Sequence, residues 1–277
     1  MIYDINVIIG FIIGIVAYII LYIGKGIQKY AIEGLKVDKS VKSKHSGIWI
    51  VGTILTAIYL FIQWAALLFA PINIIAPLEG IGLIVLLIFS YYVLKEDISK
   101  FELFGVVFII LGIFFITFFN INLGDIVYED FNLNIFLILS ISILCVEGIL
   151  ILISKFNKYK AAGLIIGITA GSFMAFQTVA KRVTAIIDPT ITLIFTIITL
   201  ITAVMTLLIT QFAFTKAKAN QVLPCFTSAS IILATLTGLF ALNESIILIQ
   251  IFGIVFVITG IILITKFKKE EELKESN

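Results

Sequence analysis

Ala70-Pro-Ile-Asn-Ile-Ile-Ala-Pro77-Leu-Glu79-Gly-Ile-Gly82-Leu-Ile-Val-Leu-Leu-Ile-Phe-Ser-Tyr-Tyr-Val-Leu94 is a mostly apolar run that carries one charged side chain, Glu79. A bilayer core of roughly 30 Å is crossed by about 20 apolar residues in a helix, so this stretch is long enough to span one. Its apolar residues are continuous, whereas a barrel strand would alternate apolar with polar over roughly 10 residues. The stretch therefore predicts a transmembrane helix that holds a carboxylate at depth, where a proline removes a backbone donor and Gly80 and Gly82 loosen the chain.

Eight further runs of this kind flank it, giving expected spans at 5–24, 48–69, 72–94, 101–119, 133–154, 161–180, 190–213, 219–242 and 246–265. Composition agrees: 61% of the 277 residues are hydrophobic, 13% are charged, and the mean hydropathy is +1.20. Ordinary soluble domains carry about 25% charged residues, and this chain has too little polar surface to cover its own apolar bulk in water. A disulfide-stapled fold is excluded by the two cysteines, Cys145 and Cys225, which read as small buried hydrophobes. Nucleic acid is not an expected partner, because the net charge is only +2. The first run reads as a span and not a cleavable leader, since Asp4 stands where a basic segment would precede it. The expected fold is all-α: a polytopic membrane protein of about nine helices, forming one transmembrane domain over 1–277.

Allotting the basic residues to alternating sides of these spans puts 17 on one side and only Lys181 and Arg182 on the other. The bias of cytoplasmic loops towards Lys and Arg then predicts the N-terminus outside and the C-terminus, with a charged tail at 266–277, in the cytoplasm of a plasma-membrane protein. Lys181 and Arg182 have two readings: outer-surface charges, or one of them turned inward to meet an anion. The loop at 120–132 holds Asp125, Glu129 and Asp130 and no base. It is expected outside, as a simple acidic loop or a gatherer of cations at an entrance.

The chain also repeats itself. Ala70, Pro77, Glu96, Gly105 and Gly112 are spaced 7, 19, 9 and 7 apart, and Ala217, Pro224, Glu244, Gly253 and Gly260 are spaced 7, 20, 9 and 7 apart. Upstream, Gly10-Phe-Ile-Ile-Gly14-Ile-Val-Ala17 is echoed by Gly163-Leu-Ile-Ile-Gly167-Ile-Thr-Ala170, and Lys29 falls where Arg182 does. The first helix thus recurs as the sixth. An odd number of spans between equivalents makes the copies, 1–154 and 161–265, inverted repeats of five and four helices, an architecture of many secondary transporters. The glycine pairs lie seven apart on one helix face and read as close-packing points. Glu96 and Glu244 read as structural caps that satisfy free backbone amides.

Function is sought at the few polar groups inside the spans. Glu79 and Glu147 are the deep carboxylates, the first nearer the outer face and the second nearer the inner one. Glu79 beside carbonyls freed at Pro77 offers hard oxygen ligands of the kind that suit Mg²⁺. The same group is also suited to carrying a proton, because burial makes its charge costly. Its plain structural alternative is pairing with Lys181, Lys216 or a tyrosine hydroxyl; for Glu147 it is snorkelling towards Lys155. Asn73, Gln63 and Gln211 supply neutral oxygens or amides, Lys181 a candidate anion contact, and Pro77, Gly80, Gly82 and Pro224 the helix breaks or hinges. Catalysis lacks its parts: His45 is the one histidine and lies in a lysine-rich loop, and no phosphate-binding loop is present.

The run Ala65-Ala66-Leu-Leu-Phe69-Ala70-Pro71, then Pro77-Leu78, Leu94-Lys-Glu96, Gly105 and Gly112, resembles the helix 3 to helix 4 signature of the drug/metabolite transporter superfamily. Its spacing is most similar to the NIPA-type magnesium transporters, with the EamA-type metabolite exporters next. Gly171-Ser172 followed by Lys181, and Thr210-Gln211 followed by Lys216-Ala217, resemble the NIPA-type sixth and seventh helices. The sequence departs from the pattern at Glu79, where these families usually carry a small neutral residue. It also departs in a shorter stretch from Lys216-Ala217 to Pro224, and in nine spans where EamA-type members have ten. The resemblance implies a secondary transporter working by alternating access, with no cofactor and with Mg²⁺ as the favoured cargo, for which the reading of the residues offers Glu79 as the ligand. The alternative is a proton- or gradient-coupled exporter of a small metabolite or drug, and more remotely a scaffold subunit. Expected partners are the lipid bilayer and a small solute or cation, with a homodimer left open.

Overall fold

A computed structural model describes residues 5–37, 42–94, 100–118, 131–156, 162–186, 189–216, 219–244 and 246–275. The described residues are helical or in short connections, with no strand among them. We number the helices α1 (Ile5–Val37), α2 (Lys42–Phe69), α3 (the interrupted run Ile72 to Leu94), α4 (Lys100–Phe118), α5 (Leu133–Phe156), α6 (Ala162–Ile186), α7 (Pro189–Lys216), α8 (Ala219–Ala241) and α9 (Leu248–Glu275). Seven are long and apolar enough to cross a membrane, against nine expected. The apolar stretches of α4 and α9, Leu103–Ile116 and Leu248–Leu263, are shorter. Outward faces are lipid-like: Phe61, Leu103, Ile138, Leu193 and Phe252 are each more than half exposed. Cys145 joins this outer surface and is not buried, contrary to expectation.

One expected boundary is corrected. The first helix does not stop near residue 24 but runs on to Val37, because the apolar spacing continues past Lys25 through Ile27, Ala31 and Ile32. Lys25 and Lys29 are therefore not loop charges but buried helical residues. The charged stretch after 265 continues the α9 helix through to Glu275.

Interruptions in α3 follow from its sequence. After Pro71 comes a short α-helical turn, Ile72–Ile75, then a tighter 3₁₀ turn, Ala76–Leu78, that accommodates Pro77. The regular helix resumes at Glu79–Phe89, and the Glu79 amide bonds back to the Ala76 and Pro77 carbonyls. Glu79 thus stands at the junction of the 3₁₀ turn with the regular helix, its own amide already bonded. Pro224 behaves differently: α8 continues through it from Ala219 to Ala241, so it is not the break that the repeat suggested.

Small residues set the packing. α1 lies along α2 and α3, α6 lies along α7 and α8, and α4 and α9 pair with each other. On the α4–α9 seam, a Cβ built on Gly112 would stand 2.5 Å from the Gly253 carbonyl oxygen, and one on Gly260 would stand 2.5 Å from that of Gly105. Backbone meets backbone there, with no flexible side chain to give way. Gly14 packs against Ile75, and Gly167 against Val222, at the matching junctions of α1 with α3 and α6 with α8. Gly82 faces the Tyr22 ring and Gly80 faces Ile109 and Val257, so these two glycines serve close approach. Gly253→Leu is expected to destabilise the protein by about 1–3 kcal/mol through overpacking. Gly148→Ala, inside α5 at a position where a Cβ meets nothing within 4 Å, should instead raise the melting temperature slightly, since alanine is favoured over glycine in a helix by about 0.5–1 kcal/mol.

Candidate functional site

The interior of the bundle holds a polar cluster in an apolar frame. On α1, Tyr18, Tyr22 and Lys25 follow one another at helical spacing and so share one face. Opposite them stand Tyr59 and Gln63 of α2, Glu79 of α3, Thr178 and Lys181 of α6, and Phe226, Thr227 and Ser230 of α8. All are buried. The Tyr22 hydroxyl donates to Glu79 Oε1 at 3.2 Å and also pairs with the Thr227 hydroxyl. Glu79 Oε2 is buried without a hydrogen bond of normal geometry, although the Ser230 hydroxyl lies close to the carboxylate.

Two ammonium groups act on this carboxylate. Lys25 Nζ makes no hydrogen bond and sits over two rings, 3.2 Å from the Phe226 centroid and 4.9 Å from that of Tyr22. Such placement recovers part of the lost hydration through the ring quadrupoles. Lys181 Nζ donates to Gln63 Oε1 at 2.6 Å and lies 5.0 Å from the Tyr59 centroid. Gln63 in turn donates to the Tyr18 hydroxyl at 2.9 Å and to Thr178 Oγ1 at 3.2 Å. Both lysines are electrostatically coupled to Glu79. Lys181 is thus one of the most enclosed side chains in the protein, and its outer-surface reading is corrected.

A cavity of about 260 Å³ adjoins the cluster between α1, α2, α6 and α7 and includes Lys25 in its wall. Gln211 lies on it, donating to Gln28 Oε1 at 2.7 Å and accepting from Trp49 Nε1 at 3.3 Å. Glu147 is elsewhere. Its Oε1 accepts a hydrogen bond from Ser172 of α6, and its side chain borders a larger, mainly apolar cavity of about 730 Å³ between α5, α6, α8 and α9. Pro224 lines that second cavity. Glu147 does not snorkel; it is buried, and it shares no pocket with Glu79.

Asn73 belongs to a third group, at the start of α3. Glu244, in the turn after α8, accepts the amides of Ile72 at 3.0 Å and Asn73 at 3.1 Å. Arg182 Nε lies 3.7 Å from Glu244 Oε1, and its Nη1 donates to the Leu67 carbonyl at 2.5 Å. Glu244 is a cap, as its sequence context suggests, but for the first turn of α3 and not for its own turn. Arg182 is buried with it, so the surface reading fails here too. Glu96, the acidic residues at 125, 129 and 130, and the lysines at 95 and 218 lie outside the described residues.

Residues that the sequence did not single out are Lys25, Tyr22 and the pairing of Arg182 with Glu244. The continued helical spacing after Gly24 was the available signal for the first. Among the described residues no cluster of three or more His, Cys, Asp or Glu side chains is placed to hold a metal ion.

Burial pushes the Glu244 carboxyl above its ordinary range, with Arg182 and the two amides opposing. A raised carboxylate binds more protons in the folded than in the unfolded chain over that window. The stability it confers is therefore present at acid pH and lost as the pH rises through the raised value. Melting temperature should fall across that window, and Glu244→Gln should flatten the fall. Arg182→Met, which leaves the Glu244 charge buried without its partner, should cost about 3–5 kcal/mol in the same assay.

No family profile matches the chain, and no solved structure does. One relative is similar over most of its length: mouse NIPA-like protein 2, 23% identical over 298 aligned positions that cover 96% of this chain and 76% of that protein. This bears out the resemblance drawn from the motifs around Pro77. Together with the seven helices long and apolar enough to cross a membrane, this makes the chain a multi-pass membrane protein with distant similarity to NIPA-like protein 2.

Proposed function

We propose that the protein is a secondary transporter that works by alternating access between two inverted halves, with its site at the cluster around Glu79. The observation that carries this is a fully buried carboxylate at a helix break, coupled to two buried ammonium groups, with one of its oxygens unbonded. A scaffold needs no such group, and burying one costs several kcal/mol. Contacts that map onto each other support the inverted halves. The repeat equates Gly105 with Gly253 and Gly112 with Gly260, so a two-fold operation carries a Gly112–Gly253 contact onto a Gly260–Gly105 contact, and both occur. Gly14 against Ile75 and Gly167 against Val222 form a second such pair. We further propose a plasma-membrane location with the N-terminus outside.

Two cargo readings follow. Kinship with a NIPA-like protein supports a divalent cation, Mg²⁺ first, with Glu79 as its carboxylate ligand. The geometry favours a small organic solute, with Glu79 as a coupling group, because Lys25 and Lys181 already stand by the same carboxylate and oppose the approach of a bare dication. Full-length protein in liposomes loaded with a Mg²⁺ indicator separates the two. Mg²⁺ flux abolished in Glu79→Gln establishes the cation reading; absence of Mg²⁺ flux under any gradient removes it. Solute uptake driven by a pH gradient and lost in Glu79→Gln establishes the other, and flux untouched by the substitution would take Glu79 out of the mechanism.

A further inference from the structure

The two proposed halves, 1–154 and 161–265, meet at both ends of the bundle, and the two ends are built differently. One end holds the α2–α3 corner of the first half. The Leu67 carbonyl is among the last four of α2, and the Ile72 and Asn73 amides are at the start of α3, so their own helices leave them without partners. The second half supplies all three. Arg182 of α6 donates from Nη1 to the Leu67 carbonyl at 2.5 Å, and Glu244 after α8 accepts the two amides at 3.0 and 3.1 Å. Arg182 Nε and Glu244 Oε1 stand 3.7 Å apart, so the pair grips the corner by its carbonyl and its amides together. Trp64 of α2 adds a bond to Thr184 of α6 at 2.7 Å, two residues beyond Arg182.

At the opposite end the halves are joined by neutral amides. Gln211 of α7 donates to Gln28 of α1 and accepts from Trp49 of α2, beside the cavity of about 260 Å³. A third contact between halves, the α4–α9 seam, is backbone against backbone at Gly112 with Gly253 and at Gly260 with Gly105. It holds by close packing, which separation would forfeit. The corner is different in kind. The bonds that Arg182 and Glu244 make across it end on a carbonyl and two amides, groups that water serves as well. Burying the two charges is itself costly and offsets much of their attraction, so wetting the corner returns much of what breaking it loses. Such a contact opens and closes at a smaller net cost than a packed apolar seam.

We infer that Arg182 and Glu244 form a latch that holds the α2–α3 corner of the first half against α6 and α8 of the second. Its release lets the halves part at that end while the α4–α9 seam stays closed as the pivot. Under the proposed orientation the latch lies on the outer side, between the exterior and the Glu79 cluster. Lys181, which bonds to Gln63 in that cluster, is the neighbour of Arg182 on α6, so a shift of this turn moves latch and site together. The inference deepens the alternating-access reading above and rests on it for the statement that the other end closes in exchange.

The chain has two tryptophans, one at each end, and each bonds across the halves. Their quenching by acrylamide, a neutral solute, is measured on purified full-length protein, from Trp64 in a Trp49→Phe background and from Trp49 in a Trp64→Phe background. Arg182→Met should raise Trp64 quenching several-fold and lower that of Trp49. Glu244→Gln, which removes the charge and keeps an oxygen for an amide, should act in the same direction and serves as the second variant if Arg182→Met does not fold. A staple distinguishes parting of the halves from local loosening. A Cβ on Gly238 of α8 would stand 3.5 Å from the Ile72 Cβ of α3, within disulfide reach. Gly238→Cys with Ile72→Cys, in a chain carrying Cys145→Ala and Cys225→Ala, should oxidise and return Trp64 quenching in either latch variant to the parent value, and a reductant should release it. Trp64 and Thr184 lie on α2 and α6, so loosening confined to them would ignore a bond between α3 and α8. Unchanged Trp64 quenching in both variants, a disulfide that does not form, or a staple that leaves the raised quenching in place each overturns the inference. Trp64 behaving as described while Trp49 does not respond leaves the latch standing and overturns the alternating-access reading.

Discussion

A charge placed in hydrocarbon has to be answered locally, and this protein answers its buried charges in two ways. At the start of α3 the answer is complete: Glu244 takes two backbone amides and stands beside Arg182, whose remaining reach ends on the Leu67 carbonyl. At the middle of the bundle it is incomplete. Glu79 is held by the Tyr22 hydroxyl, while the two lysines near it find an amide oxygen and the faces of aromatic rings. The first arrangement fixes structure, and the second leaves bonding capacity unused at Lys25 Nζ and Glu79 Oε2.

Both arrangements hang on α3. The proline at 77 withholds an amide, so the chain tightens to a 3₁₀ turn and starts a fresh helical segment at the next position but one. That segment carries Glu79 into the interior on its first turn. The frame around α3 follows the repeat, yet the site does not. The register that equates Pro77 with Pro224 sets Phe226 opposite Glu79, and Lys25 lies over that phenylalanine ring. The carboxylate of the cluster comes from the first half alone, while its two lysines come from both, Lys25 on α1 and Lys181 on α6.

Much of this was legible in the residues because membrane burial makes polar groups rare. Glu79 and Glu147 stood out in apolar runs, and both are buried. Gln63 and Lys181 were named separately and meet each other. What the sequence hid were contacts between helices distant in the chain, such as Arg182 with Glu244 and Tyr22 with Glu79, which local spacing cannot encode. Boundaries misled in one place with consequences. Ending the first helix at the first lysine treats Lys25 as a cytoplasmic charge, whereas Ile27, Ala31 and Ile32 keep the apolar spacing going and carry Lys25 into the core. A lysine stem is long and apolar enough to be buried where an aromatic face receives its ammonium.

Moving these lysines inward also bears on orientation. The bias that orients membrane proteins counts basic residues in loops near the span ends, not those enclosed in the bundle. Lys25 and Lys29 leave the inner tally, and Lys181 and Arg182 leave the outer one. The inner side keeps most of its lysines, while the outer side, which held only those two, keeps none. Burial therefore removes the exceptions to the charge rule and strengthens the support for an outside N-terminus. The same four residues cease to be evidence about topology and become part of the interior chemistry.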